Sequence, residues 1–369
     1  MQKLRYLILL TLAVLVFSSL IGCGTNRSAQ TAEDQAESQP GEKSAEGNQV
    51  NGGQEAAEGL KEPDLLEEAK KEGKVIWFTA MPSPDAQAIA DGFTEKYGIE
   101  VSIWRAQWDA LLQKVIAGYR AGVYEVDVIE GPEIMTEGMN REGILQAYTP
   151  PSSSAYPEQL KTPEYNSYRM QYFTMGFNTD KRKPKDAPKT YEDLLKPQYK
   201  GKITLEDKTI ELIAGMYQHL GEEKANEFFA NLKQQEPTGR HGQSNTVEMV
   251  AAGEVELFVG AYNYLIEQKK NDGAPVEWLS LEPVMAKSNA VAVAAKAPNP
   301  NAAKLFVDFI LSVDGQKILS ERNMIPAHPE VEANPPALGK GFEFLKVDSV
   351  SVLDDFDKWQ SMLDELIKQ

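Results

Sequence analysis

From residue 65 onward the apolar positions follow two different periods, and the switching between them predicts an α/β chain. Leu65 to Glu72 has the spacing of a short amphipathic helix, with Gly73 where a helix C-terminus takes a left-handed residue. Lys74 to Thr79 is an apolar run suited to a buried strand. Ser83, Pro84 and Asp85 read as N-cap, first helical residue and first-turn acid of a helix that runs to Tyr97 and stops at Gly98. Ile99 to Trp104 follows as a strand, Trp108 to about Ala121 as a helix, and Val126 to Glu130 as a strand. This alternation predicts a mainly parallel sheet covered by helices.

The pattern resumes after a polar stretch. Tyr172 to Asn178 is extended, Tyr191 to Leu195 starts a helix, and Lys202 to Leu205 and Val255 to Val259 are strands. Helical periodicity covers Ile210 to His219, Glu222 to Leu232 and Thr246 to Ala252. Ala290 to Ala294 is a strand again, and Ala302 to Leu311, Val313 to Glu321 and Leu353 to Ile367 are helices. The order predicts two Rossmann-like α/β lobes, the first built from 63–171 and 283–369, the second from 172–282.

The N-terminus is different in kind. Lys3 and Arg5 precede an apolar stretch from Leu7 to Leu20, which is short for a spanning helix and right for a signal peptide over 1–22. It ends in Leu20-Ile21-Gly22-Cys23, similar to a lipobox, and the chain has one cysteine. The expectation is that Cys23 is lipidated and that the protein is exported and held to the cell membrane. Residues 23–62 are rich in Gln, Glu, Ala, Gly and Ser with almost no large apolar residue, which predicts a disordered acidic tether.

Charge and composition narrow the function. The 369 residues carry 38 Lys and Arg against 55 Asp and Glu, a formal charge of −17, which argues against nucleic acid as partner. One cysteine and three scattered histidines exclude a Cys-rich zinc or iron–sulfur site and HxxxH pairs. No GxSxG, HExxH, Walker A or GxGxxG motif is present, so the expectation is a protein that is not an enzyme.

Seven stretches carry a family resemblance: VIWFTAM, FTEKYGIEVSIWRA, VDVIEGPE, MGFNTDKRKPKDAPKTYEDLLKPQYKGKI, MVAAGEVELFVGAYNYL, GAPVEW and APNPNAAKLFVDFILSVDGQKIL. Together they span most of residues 74 to 326, and in that order the chain resembles the type II periplasmic solute-binding proteins of ABC importers, in particular the ferric-iron-type branch. The resemblance implies a monomer with two lobes joined by crossover hinge strands, closing on a small-molecule or metal solute and delivering it to a membrane permease. A tethered sensor presenting its ligand to a receptor is the alternative partner.

The resemblance also bears on the solute. Ferric-type relatives hold iron with adjacent tyrosines, often with a histidine and a glutamate. Here Tyr264 falls on the second tyrosine and Asn263 on the first, with Tyr262 close by, while Pro82 and Ala110 stand near the histidine and glutamate positions. Tyr262 and Tyr264 are therefore the candidate metal ligands, for Fe(III) carried as cargo, with no resident cofactor expected. They would face one way only in an extended stretch. The other reading is a small oxyanion or an organic phosphate or carboxylate. For it, Thr79 and Ser83 flank a helix N-terminus, and Arg105, Arg169 and Arg240 offer a fork for an anion. Trp104 and Trp108 could stack on a ligand, Glu130 lies at a strand tip, and His241 precedes a second-lobe helix. Open α/β sheets bind ligands where such strand tips meet.

Overall fold

The computed structural model describes residues 62–367, so the signal peptide, Cys23 and the tether expectation lie outside the described residues. In the first lobe, α1 (Glu62–Glu72) leads into β1 (Lys74–Thr79), α2 (Ser83–Tyr97), β2 (Glu100–Arg105), α3 (Trp108–Arg120), β3 (Val128–Pro132) and α4 (Glu133–Arg141). β1 lies between β2 and β3 and pairs with both in parallel, which is why its side chains from Trp77 to Thr79 are buried. Thr79 stands beside Arg105 on one side and Glu130 on the other, so three strand tips share one edge.

The long strand β4 (Asn166–Asn178) then crosses to the second lobe. That lobe holds β5 (Ile203–Glu206), α5 (Ile210–Leu220), α6 (Glu222–Lys233), β6 (Thr238–Arg240) and α7 (Gln243–Ala251). It continues with β7 (Leu257–Tyr262), α8 (Asn263–Asn271) and β8 (Val276–Leu279), before β9 (Val284–Val293) returns the chain. β9 pairs antiparallel with β3 at one end and β4 along the other, giving a continuous strand order β2-β1-β3-β9-β4-β7-β5-β6. Both crossover strands are buried almost throughout, despite their polar residues.

The chain closes with α9 (Pro300–Leu311), α10 (Val313–Glu321), β10 (Ile325–Pro326), β11 (Phe344–Lys346), α11 (Ser349–Asp354) and α12 (Phe356–Leu366). α9 packs on the first lobe, where Phe306 meets Trp77 and Phe93 edge-on at 5.1 and 4.9 Å. The final helix departs from the expectation that 283–369 belongs wholly to the first lobe. It lies on α5, with the Trp359 ring 5.2 Å from Tyr217, and Ile367 occupies the space above Gly239. Trp359, Leu363 and Leu366 form its apolar face, and burying that stripe against second-lobe helices keeps it from water. Among the described residues no helix is long and apolar enough to cross a membrane.

Candidate functional site

The two crossover strands build the floor of a cavity of about 60 Å³ between the lobes. Alternate residues of a strand share a face, and Arg169 and Gln171 of β4 stand opposite Asn289 and Lys287 of β9. All four line the cavity. A bulge fixes this arrangement: Ser167 pairs with Ala290 and Arg169 with Asn289, leaving Tyr168 as the extra residue. Tyr168 and Arg169 thereby reach the same carboxylate.

That carboxylate is Glu130, fully buried beneath the floor. Its Oε1 accepts from Tyr168 Oη at 2.8 Å, Asn289 Nδ2 at 3.0 Å and Arg169 Nη2 at 3.2 Å, and its Oε2 accepts from Thr79 Oγ1 at 2.5 Å. Arg169 Nε donates to Tyr168 Oη at 2.9 Å. Burial opposes the guanidinium charge, but the Tyr168 oxygen and Glu130 outweigh it, and the pKa of Arg169 is raised. Nη1 has no hydrogen-bond partner among the described residues. Few buried donors in a folded protein stay unpaired without a reason.

Lys287 repeats the design one step along the floor. Its Nζ donates to the buried Glu211 Oε2 at 2.6 Å and lies 5.5 Å from the centre of the Tyr262 ring. Burial opposes its charge too, and Glu211 again prevails, raising its pKa. Burial also raises the phenols of Tyr262 and Tyr264, despite the cations beside them, which holds them as protonated hydrogen-bond donors.

The tyrosines are brought together by an irregular strand. Thr174 pairs with Ala261 and Met175 with Val259, so Gly260 is the extra residue of a second bulge, at φ 84°. A side chain there would be strained and would come within 2.9 Å of Leu212. Tyr262 ends β7 and Tyr264 lies in the first turn of α8, yet their rings stack 6.1 Å apart at 12°. The expectation that a helix start would splay them does not hold, because the chain turns at Asn263, whose side chain is pinned to the Leu338 carbonyl at 2.8 Å.

The walls come from both lobes. Arg105, Gln107 and Trp108 face Glu206, Lys208, Gln243 and Ser244. Gly242, at φ 82°, leaves room for Gln107 from the opposite lobe, since a Cβ there would come within 2.7 Å of Gln107 Nε2. Four cations (Arg105, Arg169, Lys208, Lys287) and one carboxylate (Glu206) line the space, while Glu130 and Glu211 sit behind Arg169 and Lys287. A cationic cavity in a chain of net charge −17 is a local inversion of sign. Burial raises the pKa of Glu206, whose oxygens accept from Thr209 Oγ1 at 2.7 Å and from two backbone N–H groups.

Of the sequence candidates, Arg105, Trp108, Arg169, Tyr262 and Tyr264 line the cavity, and the others do not. Thr79 lies behind it, bonded to Glu130 and accepting from the Met81 N–H at 3.0 Å. Glu130 is the buried anchor of the floor, below its surface. Ser83 is exposed and is the first residue of α2, while Pro82 occupies the N-cap position and its carbonyl starts the helix. Trp104 packs instead between the sheet and α3, tilted against its register partner Phe78 at 4.6 Å with Lys114 over its ring. His241 is 54% exposed at the side chain and hydrogen-bonded to Asp207 at 3.0 Å. With Glu206 it completes a trio whose ligand atoms lie within 4.8 Å of one another, a spacing that could hold a metal ion.

Gln171, Lys287 and Asn289 were not among the sequence candidates, although a signal for them exists. Polar residues at alternate positions of otherwise apolar strands, MAKSNAVAV and YRMQYFTM, mark a buried face that needs partners.

Comparison with known proteins places this geometry in a family. The chain is 25% identical over 255 residues to Iron uptake protein A1 of Synechocystis, covering 63% of this chain and 69% of that one. It is 26% identical over 271 residues to an uncharacterised Haemophilus influenzae protein, covering 68% and 76%. The periplasmic binding protein AfuA of Actinobacillus pleuropneumoniae, solved with exogenous fructose-6-phosphate, superimposes with a TM-score of 0.72 at 22% identity, covering 80% of this chain and 99% of that one. The profile of the bacterial extracellular solute-binding proteins matches residues 133–351, more than half of the sequence. With two lobes around a polar interlobe cavity, the chain belongs to the bacterial extracellular solute-binding proteins.

Proposed function

We propose that this solute-binding protein takes a small oxyanionic solute, a phosphate or carboxylate group or a compact organic acid bearing one. The observation that carries the reading is the buried Arg169, whose Nη1 is unpaired at the cavity floor beside Lys287. An oxyanion would pair with that donor, with the phenols of Tyr262 and Tyr264 and with the Lys287 ammonium, all charge-assisted or donor-to-acceptor contacts. The test is native mass spectrometry of protein purified without refolding, followed by calorimetry with the solute found. An oxyanion lost on Arg169→Ala supports the reading, and a neutral or cationic solute refutes it.

A second reading is Fe(III) as cargo on Tyr262 and Tyr264. It is supported by the stacked phenols and by the relative named as an iron uptake protein. Two ammonium or guanidinium groups beside the phenols count against a trivalent cation. A visible charge-transfer band on adding Fe(III), lost in Tyr264→Phe, would decide for iron. The remaining parts of the proposal are an ABC permease as the partner that receives the solute, and attachment to the outer face of the cell membrane through a lipid on Cys23.

A further inference from the structure

We infer that the solute's anionic group binds with a proton of its own, as a phosphoryl group carries one below its second ionisation and a sulfate does not, and that Asn289 selects for it; this rests on the oxyanion reading and narrows it. Asn289 is buried, and its Nδ2 donates to Glu130 Oε1 at 3.0 Å. A carboxylate in the grip of Arg169 and Thr79 only accepts, so the amide cannot be turned the other way. The amide oxygen Oδ1 is then the atom turned away from Glu130, and it is buried with no partner among the described residues. Gln171, two residues from Arg169 on the same face of β4, leaves its own Oε1 unpaired.

The floor therefore holds one unmet donor, Arg169 Nη1, and one unmet acceptor, Asn289 Oδ1, on two residues that pair across β4 and β9 and both line the cavity. An acceptor-only anion answers the first and sets its lone pairs against the second. A proton-bearing oxyanion answers both. A site built to hydrogen-bond a solute O–H discriminates strongly against the analogue that lacks it, because its own buried acceptor is left unpaired. The space suits such a group: about 60 Å³, at roughly 10–15 Å³ per water-sized group, accommodates about four to six of them.

Calorimetry of the soluble protein with four probes tests this: inorganic phosphate and sulfate as free anions, and glycerol 3-phosphate and a glycerol sulfate ester as monoesters. One of the phosphoryl probes is expected to bind at least about tenfold more tightly than its sulfate counterpart, which also tells free anion from ester as the source. Its affinity should fall as pH rises past the second phosphate ionisation, near 6 for an ester. In Asn289→Ala the phosphoryl-to-sulfuryl ratio should collapse toward one. The wild-type ratio and pH profile stand even if that variant fails to fold. Sulfate matching phosphate, a flat pH profile, or an unchanged ratio in a folded Asn289→Ala would overturn the inference. Binding of a carboxylate solute with neither phosphate nor sulfate would overturn it and leave the oxyanion reading standing. Binding of none of these beside an iron charge-transfer band would remove the oxyanion reading itself.

Discussion

Arg169 and Asn289 face each other across the two crossover strands and donate to the same oxygen, Glu130 Oε1, at 3.2 and 3.0 Å. One acid from the first lobe thus holds the central pair of the floor in place. In the proposed anion site, the acidic residue at the strand tip would serve to orient the cation from behind.

Arg169 should be the most consequential floor position for both stability and binding. Arg169→Ala leaves the buried Glu130 without its counter-charge, which should cost about 3–5 kcal/mol in urea unfolding. Arg169→Lys keeps the charge but loses the fork that reaches Tyr168, Glu130 and the solute together. It should unfold nearer to wild type while solute affinity drops by at least tenfold, about 1.4 kcal/mol.

Closure should depend on Gly242. In Gly242→Ala the new Cβ sits within 2.7 Å of Gln107 on the other lobe, at a φ that costs an L-residue about 1–2 kcal/mol. The expected outcome is weaker solute binding with a wider lobe separation in small-angle scattering. A second substitution, Gln107→Ala, should restore part of the affinity by removing the obstruction.

His241 provides a pH readout away from the floor. Its hydrogen bond to Asp207, followed by nearby carboxylates, raises its pKa above the ordinary 6.5. A raised folded-state pKa means that the contribution to stability is present below the unfolded value and is lost as pH climbs through the folded one. An NMR titration should place His241 above 6.5, and Asp207→Asn should bring it back down. An unshifted His241 in the wild type would contradict the contact.

Anchorage should hinge on a single atom. Cys23→Ala, expressed from the full-length chain in a bacterium, should move the protein from the membrane fraction to the soluble extracytoplasmic fraction. Retention at wild-type levels would refute lipidation.

The sequence made the alternating α/β order legible because buried parallel strands such as Lys74–Thr79 are continuous apolar runs between amphipathic helices. It was less informative where strands carry polar residues. β4 begins at Asn166 and β9 at Val284, well before the apolar stretches that marked them, because Asn166, Arg169, Lys287 and Asn289 dilute the pattern. Those same residues make the site. Trp104 and Ser83 were misplaced for a related reason: nearness to a strand tip in sequence does not say which face a side chain takes. That choice was made by the tertiary neighbours Phe78 and Lys114, and by the Pro82 carbonyl that starts α2.

The crossover strands are at once the floor of the cavity and long paired connections between the two lobes, so the floor is expected to travel least if the lobes swing. Arg169, Gln171, Lys287 and Asn289 keep their mutual spacing whether the walls are near or far, because a ladder of backbone hydrogen bonds ties them to one another. A solute can therefore be recognised before it is enclosed. With the lobes apart, arrival would be governed by the floor and its positive field, and escape by wall residues such as Gln107, Trp108 and Gln243 that complete the enclosure. Selectivity and residence time are in consequence assigned to different residues: changes to the walls should alter how long a solute stays and leave largely unchanged which solute is chosen.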